Sequence, residues 1–287
     1  VAVTGVQTCA LPILLHEKNS CLNSLRFVQS RMLSIMTKEN NLVQVPVKKE
    51  TAKEKQTNSL KLKLDDMAVI KPKTDKQKEF FEAFQRGDYF MALHGVAGTG
   101  KTYIALYKAL EEVMDRNNPF NKVTIIRSSV QSRDMGFLPG DVDEKMDVYI
   151  QPYRQICSDL FKRKDAWDRL VEQGHIEFVS TSFIRGTTFM HSILIVDEMQ
   201  NMNFEELDTI ITRVGDKSKI IFCGDYRQTD LRKKDDKSGI LKFLDIAGNM
   251  KEFSRFEFGI EDIVRSSLVK NYIIAKTNYE DGHHGQG

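Results

Sequence analysis

Eight residues, Gly95-Val-Ala-Gly-Thr-Gly-Lys101-Thr102, restrict the fold of this chain more than any other stretch. Gly95, Gly98 and Gly100 let the backbone bend tightly, so that successive N–H groups face one point at the positive end of a helix starting at Lys101. Such a bend belongs between a strand and a helix. The flanks supply both, an apolar run from Tyr89 to His94 and a helical pattern from Lys101 to Met114. A loop of this kind cradles a phosphate chain. Lys101 reaches the β- and γ-phosphates and the Thr102 hydroxyl ligates magnesium. Gly95, Val96, Ala97, Gly98, Thr99, Gly100, Lys101 and Thr102 are therefore the expected nucleotide-binding residues.

Around the loop, apolar runs of strand length alternate with helix-length segments. The runs are Tyr89 to His94, Lys122 to Arg127, His175 to Ser180, Ser192 to Asp197, Lys219 to Gly224 and Arg255 to Phe258. Helices are expected over Lys76 to Arg86 with Thr74 or Asp75 as cap, Lys101 to Met114, about Asp143 to Leu160, Phe204 to Thr212 and Ile260 to Lys276. Alternation of this sort means βαβ units. The expected fold class is α/β, a three-layer sandwich of the P-loop NTPase kind with a mostly parallel central sheet covered on both faces.

Two further motifs narrow the chemistry. Ser192-Ile-Leu-Ile-Val-Asp197-Glu198 is a buried strand ending in two carboxylates, whose side chains leave the strand in different directions. Asp197 is expected in the magnesium shell, and Glu198 as the general base that activates a water. Ile220-Ile-Phe-Cys-Gly224-Asp225-Tyr-Arg-Gln228 is a strand ending in a Gly-Asp turn, with the Gln228 amide placed to touch the γ-phosphate or the attacking water. The guanine-reading pattern Asn-Lys-x-Asp does not occur, since the one Asn-Lys, at Asn121-Lys122, continues Val-Thr. Adenine is the expected base, and ATP with Mg²⁺ the expected cofactor pair.

Charge excludes less than it permits. Charged residues make up 29% of the 287, yet the net charge is +2, so any nucleic-acid surface must be local. The four cysteines, Cys9, Cys21, Cys157 and Cys223, are too scattered for a metal site or a disulfide framework and read as reduced thiols. No run reaches the roughly 18 apolar residues that would span a bilayer. A cytoplasmic protein of a bacterium or a phage-infected host is expected, with no membrane partner.

Val1 to Ile13 reads as translated sequencing-adapter DNA, and Met32 or Met36 as a start. Residues 1–35 are expected to be a non-native or disordered extension, 36–73 a flexible basic lead-in, 74–279 the folded domain and 280–287 a disordered tail.

With these residues in view, the chain resembles the PhoH-like ATPase family, a phosphate-starvation-associated group of bacteria and phages with a RecA-like core similar to that of superfamily 1 helicases. The resemblance runs from about Thr74 to Tyr279. It includes Gln77, the glycine loop, Gly136-Phe-Leu-Pro-Gly-Asp141 with Lys145, Ile184-Arg-Gly186, Val196-Asp-Glu-Met-Gln-Asn201, Gly224 to Leu231, and Asp262-Ile-Val-Arg265-Ser-Ser-Leu-Val269. It implies ATP binding, with Gln77 as an adenine contact and Arg265 as an arginine finger. Two positions depart from the family pattern: Ser128 stands where proline is usual, and Ser266 where histidine is usual after the arginine.

The expected function is a magnesium-dependent ATPase, coupled to remodelling of single-stranded RNA or DNA. The alternatives are a nucleotide-gated binding module without turnover, and a small-molecule kinase. No acidic cluster suited to RNA cleavage is present. A lone core has no second domain to supply an arginine, so a homo-oligomer is expected, a hexamer-like ring in which Arg265 of one subunit serves the next.

Overall fold

A computed structural model of the chain describes residues 61–128, 142–225 and 234–283, and the structural account concerns these alone. The expectations for Gln228, for Gly136 to Asp141, for residues before 61 and for 284–287 lie outside the described residues. Six strands form one sheet: β1 (Phe90–Gly95), β2 (Lys122–Arg127), β3 (Ile176–Ser180), β4 (Ser192–Asp197), β5 (Lys219–Gly224) and β6 (Phe253–Phe258). Their order is β3-β2-β4-β5-β1-β6, and every pairing is parallel. The helices are α1 (Asp75–Arg86), α2 (Lys101–Met114), α3 (Val142–Phe161), α4 (Ala166–Glu172), α5 (Phe204–Ile211), α6 (Lys234–Gly248) and α7 (Ser267–His283).

Strand alternation sorts the core into two layers. Met91 and Leu93 of β1, Ile193 and Ile195 of β4, and Ile221 and Cys223 of β5 point to one face, where they meet Phe80 and Phe84 of α1, Leu106 and Leu110 of α2 and Tyr153 of α3. Phe90 and Ala92, Leu194 and Val196, and Ile220 and Phe222 point to the other, against Leu207 and Ile210 of α5 and Phe243 and Leu244 of α6. β1, β4 and β5 are buried along their whole length, as strands covered on both faces must be. The three-layer α/β sandwich expected from the sequence is the fold observed.

Local signals explain the first helix. Thr74 accepts a hydrogen bond from Gln77 N at 3.3 Å, and Gly87 ends the helix in the left-handed region at φ 93°. Burying Phe80 and Phe84 from this helix stabilises the fold by about 1.5–3 kcal/mol each.

The structure differs from expectation at several places. Packed chain begins before Thr74: Leu62 and Met67 are buried, Ala68 N donates to Leu160 O at 2.8 Å, and Leu62 exchanges hydrogen bonds with the Gln173 amide. Apolar residues spaced singly among lysines hid this strap. α4 and α6 were not anticipated, the one short and the other opening on a run of charges. The last helix starts later and ends later than Ile260 to Lys276, and so reaches into the expected tail. Its late start has a local cause, because Asp262 accepts from Gly259 N at 2.9 Å and the Val264 N–H is committed to Gly98 O at 3.1 Å.

Candidate functional site

β5 lies between β1 and β4, so the carboxyl ends of three neighbouring strands bring the glycine loop, Asp197-Glu198 and Gly224-Asp225 to one edge of the sheet. They open on a cleft of about 540 Å³ whose wall includes Ala97, Gly98, Gly100, Lys101 and Thr102 together with Asp197, Glu198 and Arg265. Crevices at the carboxyl edge of an open parallel sheet are where ligands of this fold class bind.

The loop is held by its backbone. Gly95 has φ 119°, and a Cβ there would run into the Phe258 carbonyl at the end of β6. Val96 N donates to that same carbonyl at 3.0 Å. Gly98 and Gly100 are also left-handed, at φ 78° and 81°, which turns the following N–H groups inward and leads straight into α2. Thr99 is fully buried and closes the loop on itself through Oγ1 to Val96 O at 3.1 Å.

Lys101 folds back over the loop, its Nζ donating to Gly95 O and Val96 O, each at 2.9 Å. Burial pushes its amine below the ordinary lysine range, while Asp225, Cys223, Glu198 and Asp197 act to hold the charge. A lysine ammonium held by two backbone carbonyls can exchange them for the oxygens of an anion, to which its hydrogen bonds are stronger.

Across the cleft, Thr102 Oγ1 donates to Asp197 Oδ1 at 2.7 Å. Glu198 begins a 3₁₀ turn with its backbone in the left-handed region, at φ 53°, and this turns its side chain away from the line of Asp197. Burial, and then the neighbouring Asp197 charge, raise the Glu198 carboxyl above the ordinary carboxylate range, against the pull of Arg127, Gln200 and Lys101. The Gln200 amide donates to Glu198 Oε2 and accepts from Asp225 N at 3.1 Å, tying the carboxylate to the turn after β5.

Two residues transferred from the resemblance lie beside the loop. Gln77 is buried at 3% exposure, with Nε2 donating to Thr99 O at 2.9 Å and Oε1 accepting from Lys73 N at 2.8 Å. One amide proton and one lone pair of the oxygen are thereby engaged by the protein backbone. Arg265 lines the cleft of its own chain, and a Cβ added to Gly98 would lie 3.0 Å from Arg265 Cγ. It lies in the turns before α7, outside the helix.

Sequence reading missed three contributors. Arg127, at the end of β2, lines the cleft beside Glu198. Gln200 appeared only as a letter in a motif, and nothing in the pattern gave away its bridging role. Tyr153, whose hydroxyl donates to Asp197 Oδ2 at 2.7 Å, lies within a long helical stretch where an inward tyrosine is indistinguishable from core.

A parallel sheet whose first strand runs through a glycine-rich loop into a helix, with a Lys-Thr pair facing a strand-end carboxylate, defines a P-loop NTPase fold. The family model described as PhoH-like protein matches residues 69–277, and the chain belongs to the PhoH-like protein family. It is 36% identical over 207 residues to a PhoH-like protein of Bacillus subtilis strain 168, covering 72% of this chain and 63% of that protein. To Protein PhoH of Escherichia coli K12 it is 30% identical over 215 residues, 73% of this chain and 59% of that one. The chain thus spans about three-fifths of the length of these relatives. Among solved structures it is similar to the large terminase of a thermophilic bacteriophage, at TM-score 0.43, 14% identity and coverage of 70% of this chain and 50% of that one, a likeness too loose to bear on function. No helix among the described residues is long and apolar enough to cross a membrane.

Proposed function

We propose that the chain binds ATP with magnesium in this cleft and hydrolyses it. The observation that carries the reading is the convergence of Lys101, the Thr102–Asp197 pair and Glu198 on one cleft at the ends of adjacent strands. Lys101 and the inward N–H groups of Gly98 to Thr102 hold the phosphate chain.

The donor set suits magnesium. Thr102 Oγ1 and Asp197 Oδ1 are hard oxygens 2.7 Å apart, and no group of three or more His, Cys, Asp or Glu that could hold a metal occurs among the described residues. Magnesium is typically bound by one or two carboxylates plus substrate phosphates, without a protein cage. When bound, it would neutralise charge on the phosphate oxygens. Thr102 and Asp197 would hold it.

Glu198 is the base. A carboxylate raised toward neutrality by burial takes a proton from water more readily than an ordinary one. A module that only bound nucleotide would gain nothing from such a buried acid. Arg265, on the wall of the same cleft, would stabilise charge on the phosphates, within its own chain or in the homo-oligomeric ring expected from the sequence. Gln228, on the segment after Asp225, would report whether the γ-phosphate is present. Single-stranded RNA or DNA is the partner favoured by the helicase-like resemblance.

Phosphate release and equilibrium nucleotide binding, with and without single-stranded polymer, test the reading. Lys101→Ala loses binding, while Glu198→Gln keeps it and loses turnover by about 10²- to 10⁴-fold. Undiminished turnover in Glu198→Gln sinks the assignment of the base.

A further inference from the structure

Asp197 is gripped from two sides. Thr102, at the start of α2, donates to Oδ1, and Tyr153, from the middle of α3, donates to Oδ2, both at 2.7 Å. Tyr153 is wholly buried, its ring stacked 6.2 Å from that of Trp167 and set 5.9 Å from that of Phe178. The guanidinium of Arg127 lies nearby and acts on the phenol through its charge. Arg127 stands opposite Asp197 in the β2–β4 register and lies over the Tyr149 ring at 5.5 Å, one helical turn before Tyr153. A phenol is protonated at neutral pH, so it is the donor in its bond to Asp197.

A strand-end carboxylate held on one oxygen can still rotate about its own bonds. A second donor on the other oxygen removes that freedom. Packing alone does not call for the hydroxyl, since an apolar ring beside Trp167 and Phe178 would fill the same space; what the hydroxyl serves is the buried Asp197 oxygen.

We infer that Tyr153 is a positioning residue that sets the affinity of the site for its divalent cation by fixing the orientation of Asp197. The inference rests on the magnesium role proposed above for Asp197. Ligand-orienting partners of this kind change metal affinity by about 10- to 100-fold when removed.

The experiment uses the full chain and a fluorescent ATP analogue, titrated at fixed concentration with magnesium, and separately bound in the presence of EDTA. Tyr153→Phe keeps the ring and loses the hydroxyl. Its magnesium midpoint rises by about 10- to 100-fold, saturating magnesium restores binding, and the affinity in EDTA stays within about twofold of wild type. A merely structural hydroxyl would weaken binding in both conditions or in neither. A midpoint equal to that of wild type overturns the inference while leaving the functional reading intact. Wild-type binding that ignores magnesium overturns both. If Tyr153→Phe does not fold, Tyr153→Met fills the space without a donor; its midpoint must also rise with magnesium rescue, and an unchanged midpoint overturns the inference.

Discussion

Gln77 offers the sharpest separation between a role carried over from the family and one read from the structure. An adenine contact must present its amide to the base, whereas here Nε2 donates to Thr99 O and Oε1 accepts from Lys73 N. Gln77→Met keeps the length of the side chain and deletes both bonds. Lys73 is exposed, so its N–H finds water; the Thr99 carbonyl belongs to a fully buried residue and does not. An orphaned buried acceptor costs roughly 1–3 kcal/mol. For a domain of this size that lowers Tm by about 2–12 °C. Because Thr99 is part of the loop, the same loosening is felt by whatever phosphate chain the loop holds. Affinity falls about tenfold for each 1.4 kcal/mol that binding must recover. The expected outcome is a loss shared equally by ATP and GTP, measured as the ratio of their Kd values in wild type and variant. A selective loss for ATP, with GTP unaffected and Tm unchanged, would refute the reasoning and restore the base contact.

Two predictions concern pH and stability. Burial, then the charges of Arg255 and Lys101, depress His94 from its ordinary 6.5 to about 4, and Arg255 Nε donates to its Nε2 at 2.6 Å. The unfolded imidazole therefore takes up its proton first, so stability is complete above pH 6.5 and falls by roughly 2 kcal/mol, allowing for partial solvent screening, as pH drops toward 4. His94→Gln flattens that part of a denaturant-derived stability curve, and parallel curves would refute the assignment. Glu198 has the opposite sign: a carboxyl raised in the fold costs stability at neutral pH and regains it as pH falls. Glu198→Gln is accordingly more stable than wild type near neutral pH, by the about 0.5–2 kcal/mol usual for relieving such a site, and a lower Tm would contradict this.

What the sequence made legible was whatever sits on a period or a motif. β2, β4, β5 and α2 fall on the residues expected, because continuous apolar runs and a loop-to-helix junction leave little choice of boundary. The loop and the Asp197-Glu198 pair were legible for the same reason, each being local in sequence. The rest depends on contacts between distant segments. Whether Val264 continues a helix or gives its N–H to Gly98, whether Leu62 floats or packs, and whether Tyr153 faces core or carboxylate are each decided by a partner far away in the chain. Arg265 shows the difference most plainly. From the sequence a neighbour's loop was the expected user, and only the fold reveals that the turn after β6 sets Arg265 beside Gly98 of its own chain.

Two costs coincide at Glu198. Its backbone occupies the left-handed region, which a residue bearing a Cβ adopts at about 1–2 kcal/mol. Its carboxyl is raised by burial beside another carboxylate. Folding alone selects against both, and a glycine followed by an amide would relieve them. The sheet can carry them because β4 is buried from Ser192 to Asp197 and locked between β2 and β5, so the strain falls on the first residue beyond the ladder. Gln200 then ties that residue to Asp225 at the end of β5. The carboxylate beyond that strained backbone is thus fixed to two strands at the cleft where Lys101 lies, which is where the proposed role of general base needs it.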